Sequence, residues 1–154
     1  MDIEYNEGKL DENIGRLINK GFTEYDKAFD LSPNYKEFSF IAKENGEIAG
    51  ILTGKCLHDE VKVSDLIVTE KFRKNGIGSK LLKSVEEYFS DKNYTSISLT
   101  TYDFQAPKFY EKCGFKLEFV RENKKNPKLT KYFFVKYLWG RATDDYPLIT
   151  IIII

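Results

Sequence analysis

Apolar residues return every three or four positions in some stretches of the chain and every second position in others, and the two periods predict different elements. Helical spacing runs from Leu10 through Ile14, Leu17 and Ile18, and Phe22, Tyr25 and Phe29 continue it as a second short helix after Gly21. Pro33 is placed to close this helical region. Ahead of it, Asp2 to Asn6 reads as a short first strand. Phe38 to Lys43 and Ile48 to Lys55 flank Asn45-Gly46, a pair suited to the two positive-φ positions of a tight turn, and so predict a β-hairpin. A third antiparallel strand, Glu60 to Val68, follows. Its alternation runs Val61, Val63 and then slips to Leu66, Val68, the signature of a β-bulge near Ser64 and Asp65.

Beyond that strand comes Arg73-Lys74-Asn75-Gly76-Ile77-Gly78, then a helix whose apolar face is Ile77, Leu81, Leu82, Val85, Tyr88 and Phe89. Ser96 to Thr101 reads as a buried strand, so strand, glycine loop, helix and strand form a crossover between parallel neighbours. A shorter helix is expected next, with Asp103 as its N-cap, Pro107 in the first turn and Gly114 just past its end. Phe115 to Arg121 and Lys131 to Leu138 pair as a last hairpin across the polar loop Glu122 to Thr130. The sum is an α+β domain: a mixed, mostly antiparallel sheet flanked by helices, with a central parallel strand pair.

Composition narrows the class. A length of 154 residues suits one core, and 42% hydrophobic residues supply it, which argues against global disorder. Lys plus Arg and Asp plus Glu are 24 each, so net charge gives no reason to expect nucleic acid or an anionic membrane as partner. Cys56 and Cys113 lie far apart with no ligand spacing, and His58 is the single histidine, so no metal site is expected and both thiols are expected reduced. The polar start Met1-Asp2-Ile3-Glu4-Tyr5 is unlike a signal peptide, and no run approaches the ~20 apolar residues of a spanning helix, which makes the cytoplasm the expected address.

The glycine loop carries the first candidate chemistry. A dinucleotide fingerprint needs a third glycine where this chain has Leu81, and a P-loop needs Gly-Lys-Ser/Thr where it has Gly78-Ser79-Lys80. What remains is a helix N-terminus whose free amides, at residues 74 to 79, and dipole suit a pyrophosphate. Gly76 and Gly78 allow close approach, and Arg73 and Lys74 add positive charge. Arg73 to Gly78 matches the Arg/Gln-x-x-Gly-x-Gly/Ala signature of the GNAT superfamily of N-acetyltransferases, and Leu66-Ile67-Val68 resembles that family's bulged fourth strand. Gln105-Ala106-Pro107-Lys108-Phe109-Tyr110-Glu111-Lys112-Cys113-Gly114-Phe115 is similar to its second signature, Ala-x-x-Phe/Leu-Tyr-x-x-x-Gly-Phe. The resemblance covers residues 1 to about 139 as an acetyltransferase domain, with 140–154 as a C-terminal extension.

This resemblance implies an enzyme that moves an acetyl group from acetyl-CoA to an amine by direct attack on the thioester. It implies that Leu66, Val68, Arg73, Lys74, Asn75, Gly76, Ile77, Gly78 and Ser79 hold acetyl-CoA. A backbone N–H at or beside Leu66 meets the oxyanion, and Tyr110 protonates the departing thiolate. Asp65, at the predicted bulge, is a candidate base; a strand carboxylate that merely faces solvent is the commoner case, and a water relay needs no side chain. Many members carry Asn where this chain has Asp103, so that contact is not carried over. A rival function is an acyl-CoA-binding sensor or interaction module without turnover; retention of Tyr110 favours the enzyme.

The acceptor, a small molecule or a peptide amine, is expected near residues 8 to 35 and 122 to 130. There Glu24, Asp26 and Asp30, with Tyr25 and Tyr35, suit a cationic amine. Leu148 to Ile154 belongs to no signature of the family and predicts a strand, on an open sheet edge or across a homodimer interface, with Pro147 marking its start.

Overall fold

A computed structural model describes residues 1–32 and 34–138. Pro33 and the extension from residue 140, with its predicted Leu148–Ile154 strand, lie outside the described residues.

The elements follow in the order α1 (Glu12–Ala28), β1 (Lys36–Glu44), β2 (Glu47–Leu57), β3 (Glu60–Val68), α2 (Ile77–Phe89), β4 (Ser96–Tyr102), α3 (Lys108–Lys112), β5 (Lys116–Arg121) and β6 (Lys131–Tyr137). They build a six-stranded sheet of order β1-β2-β3-β4-β6-β5 in which β3 and β4 run parallel and every other neighbour is antiparallel. The predicted α+β class and central parallel pair are thus present. The β1–β2 turn uses Asn45 at φ 50° and Gly46 at φ 82°, the positive-φ pair for which Asn-Gly is suited.

Four sequence expectations are corrected. Residues 2 to 6 form no strand. The two N-terminal helices are one, because glycine in a helix interior costs only about 1 kcal/mol and Gly21 does not break α1. Asp11 caps its start by accepting from the Asn13 N–H at 2.8 Å, and Asp30, at φ 57°, takes the left-handed position that lets Leu31 N–H reach back to the Asp26 carbonyl at 2.8 Å. Asp103 caps no α-helix: it begins a 3-10 turn, and its carboxylate accepts from the Tyr132 hydroxyl at 3.1 Å. Tyr88 closes no core; it is half exposed, with its ring edge-on to Phe40 at 5.9 Å.

The core lies between α2 and one face of the sheet. Leu81, Leu82, Val85 and Phe89 meet Leu52, Cys56, Val61, Val63, Ile97, Leu99 and Phe134 there. Phe89 is fully buried and contacts the rings of Phe38 at 4.9 Å and Tyr94 at 5.2 Å. Burying such a face supplies the main stabilisation, and it holds β3 against the start of α2. α1 buries no side chain fully and leaves Leu17, Phe22, Tyr25 and Phe29 exposed.

Gly54 permits the closest packing in the sheet. A Cβ there would lie 2.3 Å from Phe38 Cζ and 2.6 Å from the Lys62 carbonyl oxygen, and no rotamer relieves a collision with backbone. Gly54→Ala is therefore expected to lower stability by about 1–3 kcal/mol. The check is a urea midpoint, which falls if β2 and β3 are held at this spacing and stays put if they can part.

Candidate active site

The site begins with one extra residue in β3. Thr53 pairs with Asp65 and Gly54 with Val63, so Ser64 is left without a partner and forms the predicted bulge. Side chains alternate across a strand, and the insertion exchanges the faces beyond it. Leu66 and Val68 turn inward onto the core, while Asp65 and Ile67 stand exposed on the opposite face.

The same bulge directs backbone groups. Thr69 N–H bonds to the Ala49 carbonyl at 3.0 Å, so by the alternation of an antiparallel ladder Ile67 faces β2, and Leu66 and Val68 aim their N–H and C=O groups away from it. That direction is toward β4, but β4 is not there to receive them. The parallel pairing is confined to Glu60–Ser96, Val61–Ile97 and Lys62–Ser98, although β3 continues to Val68 and β4 to Tyr102. Past Ser98 the strands part into a wedge, and unpaired backbone donors line its β3 side.

The glycine loop closes one end of the wedge. Gly76 caps α2 in the left-handed region at φ 72°, and the first bond of the helix runs from Lys80 N–H to the Gly76 carbonyl at 3.0 Å. The amides before Lys80 therefore have no partner within the helix and point outward. The two glycines serve different ends. A Cβ on Gly76 would meet open space, so its requirement is the positive φ; a Cβ on Gly78 would lie 3.1 Å from Phe109 Cζ, so its requirement is the close approach of α3. Lys74, Asn75 and Ser79 are exposed at this end, whereas the Ile77 side chain is buried and offers only its amide. Arg73 lies beside the strand end, with Nε donating to the Val68 carbonyl at 3.2 Å.

Tyr110 stands on the β4 side of the wedge. Its ring packs at 5.9 Å from Phe134 and 5.1 Å from Phe109, and its hydroxyl shares a hydrogen bond with Thr101, a buried residue near the end of β4. Burial pushes its pKa above the ordinary phenol value; the Thr101 hydrogen bond pulls it back, and Cys113 adds a further upward push. The phenol is thus held protonated at neutral pH. Short helix α3 is fixed by its C-terminus, where Gly114 takes φ 84° and Phe115 N–H returns to the Tyr110 carbonyl at 3.1 Å. Lys136 Nζ reaches the Cys113 carbonyl at 3.1 Å and Glu86 at 2.6 Å, which ties α3, α2 and β6 together.

Asp65 accepts from the Thr53 hydroxyl at 2.6 Å, on the sheet face opposite the core. Of the acidic residues expected to receive an acceptor, Asp26 faces His58 at 3.6 Å and joins α1 to the β2–β3 turn, and Glu24 lies 3.8 Å from Lys20 on the surface. Sequence reasoning missed Thr53, Thr101 and the Lys136–Glu86 pair. Register alone, counted back from the β2–β3 turn at His58-Asp59 and across the bulge, places Thr53 opposite Asp65. No local signal joins Lys136 to Glu86, which are 50 positions apart.

Among the described residues no cluster of His, Cys, Asp and Glu is arranged to hold a metal ion, and no helix is long and apolar enough to cross a membrane.

Comparison with known proteins agrees with this geometry. Residues 11–115 match the acetyltransferase (GNAT) family. The chain is similar to the blasticidin-S acetyltransferase of Streptomyces morookaense, at 32% identity over 80 residues that cover 51% of this chain and 59% of that protein. The matched region thus spans about six-tenths of the length of that relative. Its fold is similar to that of an acetyltransferase from Bacillus cereus, with a TM-score of 0.70 and 27% identity over 87% of this chain and 97% of the other. A Bacillus anthracis protein assigned as a streptothricin acetyltransferase, crystallised with acetyl coenzyme A, superposes with a TM-score of 0.59 and 25% identity over 69% of this chain and 64% of its own.

Proposed function

Since the chain belongs to the acetyltransferase (GNAT) family, we propose that it moves an acetyl group from acetyl-CoA to an amine, which attacks the thioester directly. The observation that carries this reading is the wedge between β3 and β4, with unpaired amides on one side and the protonated Tyr110 on the other. Acetyl-CoA supplies an acetyl group already activated as a thioester. The Leu66 and Val68 backbone suits a pantetheine arm lying along β3 like an added strand, and the amides ahead of Lys80 suit the pyrophosphate. Arg73, Lys74, Asn75 and Ser79 surround that end, and Gly76, Ile77 and Gly78 contribute backbone.

In the transfer, a C–N bond forms and the C–S bond breaks. An N–H at or beside Leu66 stabilises the charge that builds on the carbonyl oxygen. Tyr110 gives its proton to the departing sulfur. The proton that the amine sheds goes to Asp65 or to water, and the Thr53 hydroxyl holds the Asp65 carboxylate in place. Asp65→Asn is expected to lower kcat by about tenfold, below the range of a sole general base. An unchanged kcat would assign the proton to water alone.

Release of free thiol from acetyl-CoA, followed with a panel of amines, tests the whole reading. Amine-dependent release is expected. Calorimetric binding of acetyl-CoA with no release on any amine would replace the enzyme by the acyl-CoA-binding module.

A further inference from the structure

The sheet face opposite the core carries three rows set by strand register. Glu37, Lys55 and Lys62 lie directly across from one another; Ser39, Thr53 and Asp65 form the next row; Ile41, Ile51 and Ile67 form the third. Residues opposite each other in a ladder share a face, so the pairing alone makes a charged row, a hydroxyl-and-carboxylate row and an apolar row. The bulge is what completes the second. Were Ser64 paired in a regular ladder, it would stand opposite Thr53, and Leu66 and not Asp65 would share this face.

A groove of about 530 Å³ opens across the first two rows, bounded by Tyr35, Glu37, Ser39, Thr53, Lys55 and Asp65, with Ser64 at its floor. That volume falls in the range of sites for small molecules. It sits on the far side of the sheet from α2, and it ends at the bulge, one residue before Leu66. A molecule in the groove therefore meets the wedge from the face opposite the glycine loop.

Its lining is more polar than apolar, with Phe38 as its one purely hydrocarbon side chain. Four hydroxyls, from Tyr35, Ser39, Thr53 and Ser64, alternate with the carboxylates of Glu37 and Asp65 and the single cation Lys55. Tyr35 donates to Glu37 at 2.8 Å and Thr53 donates to Asp65 at 2.6 Å, so each carboxylate is oriented and keeps further acceptor capacity. Glu37 and Asp65 are two strands and two residues apart, roughly 12 Å between Cα atoms at ordinary sheet spacings.

We propose that this groove is the acceptor site, that it takes a small, hydroxyl- or amine-rich cation carrying a second amino group, and that Glu37 determines this specificity. Asp65 receives the reacting amine beside Leu66, and Glu37 holds the second ammonium at the other end. Hydroxyls between them suit a sugar-like or polyamine frame, and the exposed Ile41, Ile51 and Ile67 row lies outside the groove.

The inference rests on the transferase reading, and one experiment separates their failures. Initial rates of thiol release are measured with kanamycin, spermidine and the tripeptide amide Ala-Leu-Phe-NH₂, for the native protein, Glu37→Gln and Glu44→Gln. Glu44 lies on the same strand at the hairpin turn and serves as the control. Support is a lower KM for kanamycin or spermidine than for the tripeptide, a KM raised about tenfold by Glu37→Gln with kcat little changed, and no effect of Glu44→Gln; a tenfold change corresponds to the loss of one charge-assisted contact. A preference for the tripeptide, or a KM indifferent to Glu37→Gln, overturns the groove while leaving the transferase intact. If acetyl-CoA binds and none of the three is acetylated, calorimetry with kanamycin and spermidine decides: binding weakened by Glu37→Gln upholds the groove, and no binding removes it.

Discussion

Tyr110→Phe is expected to lower kcat by about 10²–10⁴-fold while leaving acetyl-CoA affinity essentially unchanged. The substitution keeps the ring that packs on Phe109, Phe115 and Phe134 and removes only the proton, so any loss is chemical and not a loss of packing. The sign of the pH dependence follows from burial. A phenol whose pKa is raised stays protonated past the ordinary value, so the native rate falls only as pH rises through that raised value, where the phenolate can no longer donate. Tyr110→Phe should lose this alkaline limb along with the rate. Equal turnover by the two proteins would make Tyr110 a core aromatic and nothing more.

Gly78→Val is expected to weaken acetyl-CoA binding on the order of 100-fold, about 2.7 kcal/mol, with a native far-UV spectrum. Its Cβ would already press on Phe109 Cζ at 3.1 Å, and the two added methyls drive α3 away from the loop that precedes α2. The displacement widens the end of the wedge and moves the outward amides off their common target. Adding Phe109→Ala makes room, so the double variant should recover part of the affinity. Unchanged affinity in Gly78→Val, measured by calorimetry, would place the binding elsewhere.

The sequence announced the parts of this site that depend on local chemistry. Asn45-Gly46 announced the hairpin, the slip from Val63 to Leu66 announced the bulge, and Gly76 announced the start of α2; each is a conformational demand met within a few residues. What stayed hidden depends on partners distant in sequence. Asp103 looks like a helix cap until β6 brings Tyr132 beside it, and nothing in the sequence joins Asp26 to His58 until the β2–β3 turn brings them together. Gly78 was legible as a glycine needed for close approach, but its neighbour is a ring of α3. Glu37 carries no motif at all, because only the register of three strands aligns it with Asp65.

The brevity of the β3–β4 seam has a mechanical meaning as well. Three paired positions, the hydrogen bonds of Thr95 to Asp59 and Ser98 to Glu60 beside them, the α2 crossover and the Lys136–Glu86 contact join a leaf of β1, β2 and β3 to a leaf of β4, β6 and β5. A ligand that fills the gap touches both leaves and acts as a removable rivet. Cohesion of the domain then rises and falls with ligand supply: at a hundred times its dissociation constant, a ligand bound only by the folded form adds about 2.7 kcal/mol. On the proposed reading, the same opening leaves the fold sensitive to the concentration of acetyl-CoA.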